Sequence, residues 1–188
     1  MNDVYRRPRS GEEMQHAVRL PGRKKVPIIM FSDICRMMSE YGPKRTIAEL
    51  YRQYGGKILI LLQDPRKMNC GHWVSLTIIP ASRTIYFFSS YGGKPDEEKN
   101  RWLDYEDRRR SGQVQNPLND GLKQLHQEGW FIHYNDHPYQ REGDGSATCG
   151  IWTAGFLNLD MDPDVFYEFV RRNGLSYNDF YRAFFLRE

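Results

Sequence analysis

Cys149 has the setting of a nucleophilic thiol. It follows a run of small and turn-forming residues, Gly143-Asp144-Gly145-Ser146, and opens the segment Cys149-Gly150-Ile151-Trp152-Thr153-Ala154-Gly155-Phe156-Leu157. The spacing of Ile151, Ala154, Gly155 and Leu157, with small residues among them, predicts a tightly packed helix that begins at the cysteine. There the helix dipole and the unpaired first-turn N–H groups hold a thiolate, with a pKa below the ~8.5 of a free cysteine. The competing reading of Cys149 is a buried small hydrophobe, which the glycine-rich approach and the following Gly150 disfavour. A thiolate that attacks a carbonyl needs a base. Of five histidines, His72 is the best placed, because it opens a strand after the turn Met68-Asn69-Cys70-Gly71 and a sheet holds such an imidazole while leaving one side open. His137 is a weaker rival beside the Cys149 loop, and His16 and His126 read as surface residues. Acyl transfer also needs donors aimed at the oxyanion; Gln140, nine residues before Cys149, and the N–H of the nucleophile supply two.

The elements that must position these groups follow from periodicity. Ser32 or Asp33 caps a helix to about Tyr41, and Thr46 caps a second to Tyr54, with Gly42-Pro43 and Gly55-Gly56 as breaks. Ile58-Leu59-Ile60-Leu61-Leu62 reads as a buried strand, His72 to Ile79 as a second and Thr84 to Phe88 as a third, the last two joined by Pro80-Ala81-Ser82-Arg83. Residues 94 to 112 are charged and contain Arg108-Arg109-Arg110. Pro117 opens a helical stretch to Gln127, Phe131 to Tyr134 is a further strand, and the C-terminal third is helical with its aromatic residues in a core. This order predicts an α+β domain with a mixed sheet between helical layers. Residues 1–25, with Arg6, Arg7, Arg9, Arg23, Lys24 and Lys25, read as a basic, loosely held arm, and 26–188 as one domain.

Composition narrows the classes. The chain has 188 residues, 27 Lys and Arg against 24 Asp and Glu, and a net charge of +3, too mild to name nucleic acid as a partner. Gly and Pro together make 26 residues, which excludes collagenous and low-complexity chains. The apolar runs are far short of the ~18 residues of a membrane span, so no membrane partner is expected. A polar N-terminus without an apolar signal core points to a protein that is not secreted. Cys35, Cys70 and Cys149 make no CxxC pair and no zinc spacing, so neither a disulfide framework nor a metal is expected.

Taken together, His72-Trp73, the strand end Tyr86-Phe87-Phe88-Ser89-Ser90-Tyr91-Gly92, Gln140 and Ser146-Ala147-Thr148-Cys149-Gly150-Ile151-Trp152 resemble the adenain-type maturation proteases of double-stranded DNA viruses. The wider superfamily holds the SUMO- and ubiquitin-like-protein-specific proteases, and the likeness runs from about Leu59 to Leu159. The resemblance implies a papain-like cysteine peptidase fold with Cys149 as nucleophile, His72 as base, Gln140 in the oxyanion hole and Trp73 packed beside the histidine. It further implies viral capsid and core precursors as substrates, cut after small residues of Gly-Gly or Gly-Ala type, in the virion and infected cell. No cofactor is required on this reading, although DNA or a peptide can act as activator in such enzymes, and the basic segments would bind nucleic acid weakly. The family's third triad position, an acid or Asn, falls on Ser89, and the Gln140 to Cys149 interval is longer than the family's. Three readings follow for the third position: Ser89 Oγ orients the imidazole as a neutral group, a nearby acid such as Asp96 replaces it, or the enzyme is weakened or silent. The alternatives are therefore a protease for ubiquitin-like modifiers, a silent protein-binding module, and an acyltransferase using the same pair.

Overall fold

A computed structural model describes residues 7–22, 25–66, 71–141 and 146–186. Its centre is a five-stranded mixed sheet in which the strands lie in sequence order: β1 (Ile28–Met30), β2 (Lys57–Gln63), β3 (Gly71–Ile79), β4 (Thr84–Ser89) and β5 (Phe131–Tyr134). The three central strands are antiparallel, and β1 and β5 add to the edges in parallel. Strand parity explains the uninterrupted apolar run of β2. Ile58, Ile60 and Leu62 point to one core with α2 (Phe31–Tyr41), α3 (Pro43–Tyr54) and α6 (Pro117–Gln127). Leu59 points to the other, with α1 (Gly11–Ala17), α7 (Cys149–Leu159), α8 (Pro163–Arg172) and α9 (Tyr177–Phe184). Both faces of the sheet are covered, so the strand has no polar side to show.

Helix α7 is the axis of the second layer, buried from Cys149 through Leu157. Its small residues allow that depth: a Cβ on Gly155 would lie 2.5 Å from the Phe180 ring of α9. Thr153 Oγ1 donates to Trp73 O at 3.1 Å and ties the helix to β3.

Several expectations are corrected here. The arm expected over residues 1–25 is not loose where it is described: Ser10 and Glu13 form a capping box for α1, and Met14, Ala17 and Val18 are buried in the second core. Thr46 is no cap; α3 starts at Pro43, after Gly42, and the Thr46 hydroxyl donates to Gly42 O at 2.7 Å inside the helix. Helix α2 begins at Phe31, one residue before the expected caps, because Met30 leaves β1 directly into it. The charged stretch holds two short helices, α4 (Glu97–Trp102) and α5 (Tyr105–Arg110). Cys70, Arg6, Arg23, Lys24 and the Gly143-Asp144-Gly145 turn lie outside the described residues.

Candidate active site

His72 stands one residue into β3, opposite Leu62, and Ser89 ends β4, opposite Val74. Cys149 is the first residue of α7. The tertiary fold brings all three to one end of the sheet, at a cleft of about 490 Å³ that His72, Cys149, Tyr91, Trp102, Ser146 and Pro8 help to line. The pair is nearly closed to solvent, with His72 1% and Cys149 7% exposed.

Sequence reasoning missed the acid. The His72 Nε2 lies 3.0 Å from Ser89 Oγ and 2.8 Å from Glu98 Oε2, and the Ser89 hydroxyl donates a very short hydrogen bond to Glu98 Oε1. Ser89 therefore sits between imidazole and carboxylate, accepting from Nε2–H and passing its own proton side to Glu98. It also accepts from Tyr91 N–H at 3.3 Å. The second carboxylate oxygen faces the ring nitrogen as a close charge contact, so the orienting group is a serine backed by an acid. Asp96, the acid expected from the sequence, does not take this role. Its Oδ2 accepts the Asn119 N–H of α6 at 2.8 Å, and burial raises its pKa to about 7. Glu98 reaches the histidine because it and Trp102 are four residues apart on one face of α4, and the Trp102 ring meets the imidazole edge-on at 4.6 Å. Tyr91 covers another side at 4.8 Å.

With Nε2 occupied, Nδ1 is the ring nitrogen left to serve a thiol, and it is buried with no hydrogen-bond partner among the described residues. Burial lowers the His72 pKa, but the Glu98 charge and the Cys149 side chain overcome it and raise the value from 6.5 to about 9. Burial likewise raises the Cys149 pKa, yet His72 and the backbone N–H groups of Trp73 and Gly150 bring the net below its usual value. Both shifts favour a thiolate beside an imidazolium. Cys35 shows the opposite behaviour: burial without a cationic partner in contact pushes its thiol up to about 12.

Gln140 joins the site through Thr148. The Thr148 hydroxyl does not cap α7 but donates a very short hydrogen bond to Gln140 Oε1, which leaves the amide Nε2 buried and without an acceptor. An unmet buried donor costs ~1–3 kcal/mol, and it is open to a ligand oxygen. The Gln140 N–H and the Tyr139 N–H donate to Ser90 O, at 3.3 and 2.8 Å, anchoring this segment next to the end of β4. The first-turn N–H of Cys149 has no intrahelical acceptor and adds a second donor.

Asn135, unremarked in the sequence, fixes Ser89 in turn: its Oδ1 accepts Ser89 N–H at 2.9 Å and its Nδ2 donates to Ser89 O at 2.6 Å. The Trp73 ring departs from its expected place beside the histidine. Neighbouring strand residues face opposite sides, so the indole enters the second core and donates to Arg9 O at 2.9 Å. His137 stacks on Tyr167 at 3.9 Å, away from the thiol, and His133 lies 2.7 Å from Asp162 and 3.2 Å from Asp164.

The chain resembles known proteins in sequence and in backbone. A Sputnik virophage protein, described as "Uncharacterized protein V9", is 30% identical over 126 residues, which span 67% of this chain and 66% of the relative. Among solved structures, the C-terminal Ulp1 protease domain in complex with Smt3, the yeast ortholog of SUMO, is 15% identical and covers 94% of this chain and 73% of its own, with a TM-score of 0.45. A Ulp1 SUMO protease whose catalytic cysteine is oxidized to a sulfinic acid is 14% identical, covering 82% and 67%, with a TM-score of 0.42. No protein-family model matches the chain. Among the described residues no helix is long and apolar enough to cross a membrane.

Proposed function

We propose that the protein is a cysteine endopeptidase of the adenain and Ulp1 type. One observation carries the reading: a buried imidazole with a carboxylate at Nε2 and a thiol of lowered pKa at its other side, next to an amide donor with nothing to bond. Cys149 Sγ attacks the scissile carbonyl carbon. The carbonyl oxygen takes the negative charge and is held by Gln140 Nε2–H and the Cys149 N–H. Imidazolium His72 gives its proton to the leaving amine as the C–N bond breaks, and an acyl-enzyme forms. Water then attacks the thioester carbonyl, His72 takes its proton, and the thiolate leaves. Glu98, through Ser89, keeps the ring oriented and its positive charge favoured throughout. Nucleophile, base and donors all come from the chain, so the reaction as written calls for no metal or organic cofactor.

The substrate reading is viral capsid and core precursors cut after small residues, in the virion or infected cell, supported by the virophage relative. A second reading, release of a ubiquitin-like modifier, is supported equally by the Ulp1 complex with Smt3. Activation by DNA or a peptide remains part of the first reading. Among the basic residues that would serve it, Arg109 pairs with Glu106 and Arg7 with Glu13.

Two electrophilic probes separate these possibilities by intact mass: a short peptide ending in Gly-Gly with a C-terminal electrophile, and a folded ubiquitin-like protein with the same tail. An adduct on Cys149 with both supports the endopeptidase. An adduct with the folded probe alone selects the modifier protease, and none with either, together with an unreactive thiol, leaves a silent binding module. Co-expression with virophage capsid proteins, with Cys149→Ala as control, then reads precursor cleavage by new N-termini.

A further inference from the structure

Trp73 follows His72 in β3, and Gly150 follows Cys149 in α7. One residue from a distant part of the chain touches both of these neighbours. Arg9 O accepts the Trp73 indole N–H at 2.9 Å. The Arg9 stem lies against Gly150 so closely that a Cβ there would fall 3.0 Å from Arg9 Cγ and 3.1 Å from its Cβ. Pro8, the preceding residue, lines the cleft together with His72 and Cys149.

Arg9 itself is 3% exposed. Its guanidinium is 3.5 Å from Glu13 and lies over the rings of Tyr181 and Phe185, at 5.1 and 5.8 Å from their centroids. Burying an arginine is costly, and an apolar residue of similar volume would fill the space at least as well for stability alone. The long stem and the anchored head instead fix where the Arg9 backbone and Cβ sit.

We propose that Arg9 is a positioning residue for the thiolate, a clamp from the N-terminal segment that holds the strand bearing Trp73 against the helix bearing Gly150, and so sets how their neighbours His72 and Cys149 meet. The proposal rests on the peptidase reading above. It assigns Arg9 to the sulfur side of the pair, whereas Glu98 and Ser89 serve the far side of the imidazole. Loosening the clamp therefore weakens the thiolate while the Glu98 contact to His72 stays as it was.

The test is the pH profile of Cys149 alkylation by iodoacetamide, read by intact mass on the full chain, with Tm measured on the same samples. Wild type should show a fast thiol well below the usual cysteine range. Arg9→Ala should move the acid limb of that profile up by about one pH unit, a tenfold loss of rate below the limb. Phe185→Leu, which removes one ring from the guanidinium, should move the acid limb the same way by less. It also carries the test if Arg9→Ala does not fold. A lower Tm with an unmoved acid limb in whichever variants fold overturns the clamp and leaves Arg9 as core packing. A wild type without a fast thiol overturns the peptidase reading and the clamp with it.

Discussion

Glu98→Gln isolates the contribution of an acid placed nine residues beyond the strand end where one was expected. Both partners are buried, with side-chain exposures of 2% for His72 and 3% for Glu98, and the charge contact is 2.8 Å. Two unit charges ~4 Å apart at the effective dielectric of a protein interact by ~4 kcal/mol, from which desolvation must be subtracted. The rise of the His72 pKa from 6.5 to about 9 corresponds to roughly 3 kcal/mol in favour of the imidazolium. In Glu98→Gln the burial remains and the Glu98 charge is gone, leaving only Cys149 to favour the imidazolium, so the imidazole should titrate well below about 9. The thiolate loses its cationic neighbour near neutrality, and alkylation of Cys149 at about pH 7 should fall ~10–100-fold. The alkaline limb of the activity profile, near pH 9 in wild type, should move down by a unit or more. The sign follows from the raised pKa: the imidazolium is fully present below 6.5 in either state and is lost in the wild type only as pH rises through about 9. Returning a carboxylate to the strand, as Ser89→Asp in the Glu98→Gln background, should recover part of the lost rate. An unchanged Glu98→Gln profile would refute the serine-relayed acid and leave Ser89 as a neutral orienter.

Gln140→Ala should lower kcat ~10²–10³-fold by removing one oxyanion donor, with the alkylation profile unchanged; a shifted profile instead would mean that the amide supports the thiolate. For Asp96, burial raises the pKa from 3.8 to about 7, so its contribution to stability is greatest below the unfolded value and is lost as pH rises through 7. Asp96→Asn keeps an acceptor for Asn119 N–H and should raise Tm more at about pH 8 than at about pH 5, by ~2–4 °C per kcal/mol regained; equal effects at both would contradict the buried-charge account. Gly155→Ala drives a methyl into the Phe180 ring and should cost ~1–3 kcal/mol in urea unfolding, with wild-type stability showing that α9 gives way.

The residues that meet at the candidate site were readable in the sequence because each has a local signal. Cys149 opens a helix made of small residues, His72 opens a strand and Gln140 shares its loop with the nucleophile. Period-2 and period-3.6 patterns likewise mark the central strands and most helices, since those patterns reflect burial of one face. Glu98 has no such signal. It lies in a charged run where a carboxylate is ordinary, and it joins the candidate site only because a short helix turns it and Trp102 onto the imidazole. Asp96, closer to Ser89 in sequence, is turned by its left-handed backbone, with φ at 69°, towards α6 instead. The Trp73 ring went to the far face because strand alternation places a residue next to His72 opposite to it. The N-terminal segment looked detached because Met14, Ala17 and Val18 are too few to show a period, yet they find a core supplied by distant helices and by one face of the sheet. Local order thus fixed which groups are available, while partners from remote segments decided which of them meet, because contact across a folded core depends on packing that no single window of the chain contains.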